Sequence, residues 1–366
     1  ERRRLGRTGL MVSPIGFGGA PLGIRGYLTT EDRTDEAFQA EGIRAIQLAL
    51  NSGINLFDTA PGYGKGRSET TVGEALKDRR DQAVIATKLG FGESPEGWQA
   101  SLERSLARLQ TDHIDILQIH GTYYPDELCE RIVASGILDW ADEQKRRGTI
   151  RFFGLTAENS SAGLEGLIRS SRFDVLQIAF NIVNQCHCDY ARADENRLTG
   201  IIPIARSFDI GITTMRNTTS GFLQKLLSQE FPSITEADAA RLSIRFALSA
   251  PEIDCALVGM TNQELVRSNV ELVTDRSNRL DLTDLHQRFP EGRQREEEPP
   301  PVRAIAAARL AQRPCRRSSS PDGSTPGRHT PGGRCTPVGS PGRDHFRPCL
   351  PSDGRQSATP WSRDGG

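Results

Sequence analysis

The chain has 366 residues and a formal net charge of −1, so it can form one large domain plus an additional segment, and its overall charge favours neither nucleic acid nor a membrane surface as a partner. No apolar run approaches the ~20 residues of a transmembrane helix, and no secretory signal peptide is visible. The seven cysteines are scattered without paired spacing, which is typical of reduced thiols and predicts a cytoplasmic protein.

Strand-like and helix-like segments alternate along most of the chain. Residues 3–12 predict a hairpin with Gly6 and Gly9 in its turns. The segments with strand character are residues 13–18, 55–58, 83–88, 114–120, 150–156, 174–180, 210–215 and 255–259. The segments with helical periodicity are residues 36–51, 68–76, 98–109, 137–147, 163–170, 198–208, 236–248 and 262–273. This alternation predicts an α/β fold, a (β/α)8 TIM barrel with an N-terminal β-hairpin, over residues 1–289.

The C-terminal segment, residues 290–366, differs in composition from the rest. It holds more than half of the chain's 21 prolines, and no lysine occurs after Lys225. The segment shows little apolar periodicity and cannot build a packed core, which predicts disorder. Two origins fit this composition: a natural low-complexity tail, or translation of a GC-rich gene out of frame. The loss of lysine favours the second origin.

Polar side chains lie where three of the predicted strands end. Asp58 ends the second strand, Lys88 the third and His120 the fourth, and Tyr63 lies on the Gly/Pro-rich loop after Asp58. Parallel α/β barrels keep their chemistry at the carboxyl ends of the strands, so these side chains are candidates for one active site.

Together these four side chains predict a specific chemistry. An ammonium beside a phenol favours the ionised phenol and makes the tyrosine a better acid. A carboxylate keeps the lysine charged, and a histidine can orient a carbonyl oxygen by a hydrogen bond. The four residues therefore predict a proton donor for a carbonyl group that receives a hydride.

Several motifs, in this order along the chain, resemble the aldo-keto reductase family. The matching segments are residues 5–19 (opening hairpin and first strand), 53–64 with Ser68 and Glu69 (Asp/Tyr signature), 101–109 (helix) and 115–120 (histidine strand). The resemblance implies that Asp58, Tyr63, Lys88 and His120 form the catalytic tetrad of an NAD(P)-dependent oxidoreductase.

The resemblance also implies a nucleotide cofactor. NADP is the family's usual cofactor, but Gly259 and Leu265 stand where basic residues usually hold its 2′-phosphate, so NAD is an alternative. Gln177 matches the carboxamide-binding glutamine, Met215 replaces the stacking tyrosine, and Ala157 replaces a usual asparagine. The implied cofactor-binding residues are Thr156, Gln177, Met215, Arg216, Thr218, Gly259, Thr261 and Asn269.

The predicted function is hydride transfer between nicotinamide and the carbonyl or alcohol carbon of an aldehyde, ketone or sugar. Net oxidation of an aldose-like alcohol is an alternative within this class. A nucleotide-binding regulatory subunit of the same fold, without turnover, is an alternative from another class. The loops expected at the substrate pocket, which include residues 123–129, select no particular substrate, and the sequence selects no oligomeric state.

The adjacent residues Cys186, His187 and Cys188 invite a metal-binding interpretation. Neighbouring residues rarely reach one ion from separate directions, and zinc sites usually use spaced pairs of ligands. The sequence therefore predicts no metal site, and places these residues on a loop beside the substrate pocket.

Overall fold

The structure is a computed structural model, and it describes residues 1–24, 26, 35–92, 94–158, 160–182, 200–275, 279–280 and 282. These residues belong to one compact unit, Glu1–Gln294. The prediction of disorder for residues 290–366 falls outside the described residues.

A short antiparallel hairpin precedes a closed barrel of eight parallel strands. The hairpin pairs β1 (Arg3–Arg4) with β2 (Met11–Val12). The barrel strands are β3 (Ile15–Gly18), β4 (Leu56–Asp58), β5 (Val84–Leu89), β6 (Ile114–Ile119), β7 (Ile150–Ala157), β8 (Val175–Ala179), β9 (Gly211–Met215) and β10 (Cys255–Gly259). Consecutive strands are neighbours around the barrel, and β10 pairs with β3 to close it. The predicted TIM barrel and its hairpin are confirmed.

Helices connect the strands on the outside of the barrel. They are α1 (Ala20–Gly23), α2 (Glu36–Asn51), α3 (Arg67–Leu76), α4 (Pro95–Leu109), α5 (Asp126–Ala134), α6 (Ile137–Arg147), α7 (Ala162–Arg169), α8 (Ile201–Ser207), α9 (Phe222–Glu230), α10 (Glu236–Ser249) and α11 (Gln263–Thr274). Among the described residues, none of these helices has the length and apolar character needed to cross a membrane.

Three helices, α1, α5 and α9, have no counterpart among the predicted elements. The prediction of a pocket loop over residues 123–129 is wrong for its second half, because α5 begins at Asp126. Cys129 and Ile132 are buried one turn apart on α5, and they pack it onto the barrel unit. A single short apolar stripe of this kind is hard to separate from a loop by periodicity alone.

Alternate residues of each strand fill the interior of the barrel. Towards the amino ends of the strands the interior is apolar and contacts the hairpin. This cluster contains Leu5, Leu10, Val12, Leu56, Val84, Ala86, Ile116, Val175, Cys255 and Leu257. Further along β4, β6 and β8, the same alternation places Asp58, Gln118 and Gln177 inside the barrel, and all three are buried. A polar layer thus lies on an apolar floor.

Candidate active site

Asp58 and Lys88 form a buried ion pair at the carboxyl end of the barrel. The Nζ atom of Lys88 donates to Oδ1 of Asp58 at 2.7 Å and to the backbone carbonyl of Thr59 at 2.8 Å. Lys88 is 1% exposed and Asp58 is 4% exposed. Burial raises the pKa of Asp58, and the attraction of Lys88 opposes this effect. Burial alone would lower the pKa of Lys88, but Asp58 and Tyr63 outweigh burial and raise it, so the ammonium stays charged at neutral pH.

The Tyr63 side chain lies beside this ammonium and is the second of the two residues that raise the pKa of Lys88. The Nζ atom of Lys88 lies 5.1 Å from the centroid of the Tyr63 ring. The ring of His120 meets the Tyr63 ring edge-on, with centroids 5.9 Å apart and planes at 83°. The phenol therefore lies between a buried cation and an imidazole, at the wall of a pocket.

The loop that carries Tyr63 is fixed by close backbone contacts. A Cβ atom on Gly23 would lie 2.2 Å from the carbonyl oxygen of Tyr63, and one on Gly64 would lie 2.3 Å from the carbonyl oxygen of Gly23. Gly64 also has a φ of +67°, in the left-handed region. The N–H of Ser68, in the first turn of α3, donates to the Tyr63 carbonyl at 3.2 Å. These contacts explain why the segment between Asp58 and α3 is rich in glycine.

His120 follows β6 at the rim of the barrel. Its backbone N–H donates to the carbonyl of Leu89 at 2.8 Å. The hydroxyl of Thr156 donates to the carbonyl of Gly121 at 2.7 Å and accepts from its N–H at 3.0 Å, which holds the strand end in place. Desolvation and, secondarily, the charge of Lys88 lower the pKa of His120 to about 4, although the residue as a whole is exposed where it faces the pocket. At neutral pH the imidazole is therefore uncharged and has one N–H to donate.

The lowered pKa of His120 predicts that acid destabilises the protein. The unfolded chain has the ordinary value of 6.5 and the folded chain about 4, so between these values the unfolded chain binds a proton that the folded chain does not. We expect stability contributed by neutral His120 to be lost as the pH falls through this window. Urea denaturation of the protein and of a His120→Asn variant across the window checks this, because the variant should lose part of the dependence. An NMR titration that finds His120 half-protonated near pH 6.5, the ordinary pKa of histidine, would contradict the expectation.

Most of the predicted site residues line one pocket. Its walls include Asp58, Tyr63, His120, Thr156, Gln177, Met215, Arg216, Thr218 and Gly259. Lys88 lies beneath the pocket and reaches it through Asp58 and Tyr63. Thr261 precedes α11 and the buried Asn269 lies within it, and neither contributes to the lining.

Gln177 joins the catalytic cluster to the rest of the pocket. Its side chain acts on Asp58, where it lowers the pKa of the carboxyl group against the effect of burial, and its Nε2 atom lies 3.8 Å from Sδ of Met215. The Oε1 atom is buried and has no hydrogen-bond partner in the described part of the chain. Leaving a buried acceptor unsatisfied is unfavourable by about 1–3 kcal/mol, so this oxygen is suited to a donor on a bound ligand.

Glu158 and Asn217 are among the pocket residues that were not found from the sequence. Glu158 accepts from Nη2 of Arg216 at 2.7 Å across the pocket rim. Asn217 is buried, and its Nδ2 atom donates to the carbonyl of Leu257 at 2.7 Å, which ties the loop after β9 to β10. Arg216 itself has a φ of +55°, and its carbonyl accepts from the Asn181 side chain at 3.0 Å. The partners are far apart in sequence, so only the barrel's closure brings them together.

Comparison with known proteins identifies the family. Residues 14–236 match the sequence model of the aldo/keto reductase family. The chain belongs to the aldo-keto reductase family. It is 30% identical over 300 residues to the L-galactose dehydrogenase of Arabidopsis thaliana, which covers 75% of this chain and 88% of that protein. The resemblance predicted from the motifs is therefore confirmed.

Solved structures agree with this assignment. A putative aldo-keto reductase from Pseudomonas aeruginosa is 29% identical, with a TM-score of 0.57 over 74% of this chain and 93% of that one. An aldo-keto reductase from Klebsiella pneumoniae, solved in complex with NADPH, shares the fold with a TM-score of 0.59 at 20% identity, over 79% of this chain and 95% of that one.

Metal binding has no support among the residues that the structure describes. They contain no group of three or more His, Cys, Asp or Glu side chains placed to hold an ion. Cys186, His187 and Cys188 lie outside the described residues.

Proposed function

We propose that this aldo-keto reductase is an NAD(P)-dependent oxidoreductase that transfers a hydride between nicotinamide and the carbonyl or alcohol carbon of an aldehyde, ketone or sugar. The observation that carries the proposal is the buried Asp58–Lys88 pair, whose ammonium lies 5.1 Å from the centroid of the Tyr63 ring at the pocket wall. A buried ion pair is a poor stabiliser compared with apolar packing, which makes a chemical role the better account of it.

In the reducing direction, Tyr63 donates the proton to the carbonyl oxygen. The ammonium of Lys88 stabilises the phenolate that this step leaves behind, and Asp58 keeps that ammonium charged and directed. Neutral His120 donates a hydrogen bond to the same carbonyl oxygen and orients it. In the oxidising direction the phenolate accepts the proton of the alcohol.

The pocket residues fit a nicotinamide nucleotide, which when bound supplies or accepts the hydride. The unpartnered Oε1 atom of Gln177 suits the N–H of a carboxamide, and Met215 offers a polarizable surface beside it. Arg216 and Thr218 would hold the phosphates. Thr156 acts as an acceptor only, because its hydroxyl hydrogen is used by Gly121. We propose that Thr261 and Asn269 hold the adenosine end of the nucleotide.

We also propose that the protein is located in the cytoplasm.

The direction of reaction is open to test within this proposal. One relative is named L-galactose dehydrogenase, and that name supports the oxidising direction, in which a hydroxyl-bearing carbon of a sugar loses the hydride. Carbonyl reduction remains the other direction within the proposal. Aldehydes, ketones and aldoses are therefore all included in the proposed substrate class.

We expect NADPH and NADH to bind with similar affinity. Gly259 offers no charge, and the exposed Leu265 on α11 offers an apolar surface where a basic residue would hold the 2′-phosphate. A lost hydrogen bond to a charged group is worth about 1.5–3 kcal/mol. Calorimetric titration should give dissociation constants within about tenfold of each other.

A variant and a control refine this expectation. Arg267 is an exposed residue of α11 and the nearby candidate for a compensating contact, so Arg267→Ala should weaken NADPH binding more than NADH binding if it has that role. Arg104→Ala, on the exposed side of α4, should change neither. A preference of about a thousandfold or more for NADPH, equivalent to roughly 4 kcal/mol, would contradict the expectation.

A panel of carbonyl compounds with NADPH and NADH, and of sugars with NADP and NAD, tests the proposed function. We expect turnover with at least one compound in one direction. Nucleotide binding without turnover on any of them would favour the regulatory-subunit alternative.

A further inference from the structure

Glu69 is a charged residue with no exposed surface, in the first turn of α3. Its Oε1 atom accepts from the hydroxyl of Thr87 at 2.7 Å. Its Oε2 atom accepts from Nε of Arg108 at 2.7 Å and lies 2.6 Å from Nη2. Burying a carboxylate is unfavourable unless it is paired and hydrogen-bonded, and here both oxygens are satisfied.

The hydrogen bond from Thr87 connects Glu69 to the strand that carries Lys88. Thr87 precedes Lys88 on β5, and successive side chains on a strand point to opposite faces. Lys88 therefore points into the barrel towards Asp58, while Thr87 points outwards to α3. Glu69 thus fixes the outer face of β5 directly behind the catalytic ammonium.

The contact with Arg108 connects Glu69 to the loop that carries Tyr63. Gly66 caps the N-terminus of α3 with a φ of +89°, and a Cβ atom there would lie 2.4 Å from Cδ and 2.5 Å from Nε of Arg108. The Arg108 side chain therefore lies directly against the end of this loop. Ser68, next to Glu69, donates its N–H to the Tyr63 carbonyl and its hydroxyl to the carbonyl of Gly19 at 2.8 Å.

We infer that Glu69 is a positioning residue: its buried contacts with Thr87 and Arg108 set the distance between the Tyr63 hydroxyl and the Lys88 ammonium. This inference rests on the proposed function for its catalytic meaning. Displacement of a reacting group by about 1 Å can lower a rate by about a hundredfold, so a small shift of this loop against β5 is enough to be measured.

The experiment uses four variants of the full chain, each with a single substitution. Glu69→Gln removes the charge but keeps the shape, and Thr87→Val removes the hydroxyl while Thr87→Ser keeps it. Glu74→Gln is the matched control, because Glu74 lies on the same helix and pairs with Lys77 at 2.7 Å, but its side chain is 42% exposed. Each variant is assayed for kcat, KM and nucleotide Kd against pH. In parallel, the ionisation of Tyr63 is followed by NMR of 13Cζ-labelled tyrosine, assigned with Tyr63→Phe.

We expect Glu69→Gln and Thr87→Val to raise the pH at which Tyr63 ionises by ~0.5 unit or more, because a more distant ammonium stabilises the phenolate less. The same two variants should lose about tenfold in kcat and keep nucleotide Kd within about twofold. Thr87→Ser and Glu74→Gln should match the unmodified protein. If Glu69→Gln and Thr87→Val lower only the melting temperature and leave kcat and the Tyr63 titration unchanged, the role is structural and the inference is wrong.

The two readouts separate this inference from the proposed function. If the unmodified protein turns over no substrate, the proposed function fails, but the NMR titration still measures the Tyr63–Lys88 interaction. An unchanged titration in both variants would then overturn the inference, and a raised one would support it.

Discussion

The Tyr63→Phe variant is expected to lose roughly 10²–10⁴-fold in carbonyl turnover while it binds the nucleotide as tightly as the unmodified protein. The hydroxyl is the proton donor in the proposed reaction, and the Lys88 ammonium lies 5.1 Å from the centroid of its ring. The phenyl ring that remains preserves the edge-on packing against His120. Steady-state kinetics in the direction found for the protein, with calorimetric titration of the nucleotide, measures both effects.

A neighbouring tyrosine provides the control for this variant. Tyr123 is 53% exposed, lies three residues after His120 along the chain and is not among the residues that line the described pocket. Tyr123→Phe removes a hydroxyl of the same kind from the same region, and we expect nearly unchanged kinetics. Near-normal turnover in Tyr63→Phe would rule out Tyr63 as the proton donor.

The Lys88→Met variant is expected to lose both activity and stability. Removing the ammonium leaves the carboxylate of Asp58 buried without its cation, and breaking a buried pair in this way lowers the free energy of unfolding by about 3–5 kcal/mol. A second substitution, Asp58→Asn, removes the uncompensated charge and keeps a group that can hydrogen-bond to Gln177. We expect the double variant to recover most of the stability but none of the activity, as measured by urea denaturation and turnover.

The pH dependence of Lys88→Met gives a further check on the sign of this effect. Burial raises the pKa of Asp58, and without Lys88 nothing in the pair opposes that rise. A carboxyl group whose folded pKa is raised binds a proton more tightly in the folded state, so the variant should become more stable, relative to the unmodified protein, as the pH falls from neutral. A stability difference below about 1 kcal/mol at neutral pH would show that Asp58 is not held there as a paired charge.

The barrel was predictable from the sequence because its strands are short apolar runs that end in polar residues. The strands Leu56–Asp58 and Val84–Leu89 were predicted as residues 55–58 and 83–88, so no end differs by more than one residue. Helix α10 begins at its predicted first residue, Glu236, after the N-cap Thr235, whose hydroxyl accepts from the N–H of Asp238. These signals are local, so one sequence suffices to find them. Helix α5 was missed because it has few buried apolar positions.

Site residues were predictable only where the chemistry of a side chain requires a partner or a role. A lysine at the end of an apolar strand needs a partner, and in the sequence alone that requirement already connects Lys88 to Asp58. No local sequence feature predicts the contact between Glu158 and Arg216, because 58 residues separate the partners. The Oε1 atom of Gln177 is buried without a hydrogen-bond partner among the described residues, because the surrounding strands exclude water from it. No local sequence pattern reveals this, since it depends on the whole barrel. The roles of Thr261 and Asn269 stay predictions.

Transfer of isotope from nicotinamide to substrate tests the central claim most directly. The unmodified protein is incubated with NADPH and NADH carrying deuterium on the transferable C4 position, together with a mixture of aldehydes, ketones and aldoses. Mass spectrometry should find deuterium on the former carbonyl carbon of at least one product, and the Tyr63→Phe variant should form that product far more slowly. Tight binding of the labelled nucleotide, with no deuterium in any product and no oxidation of the corresponding alcohols in the reverse assay, would contradict the proposed oxidoreductase.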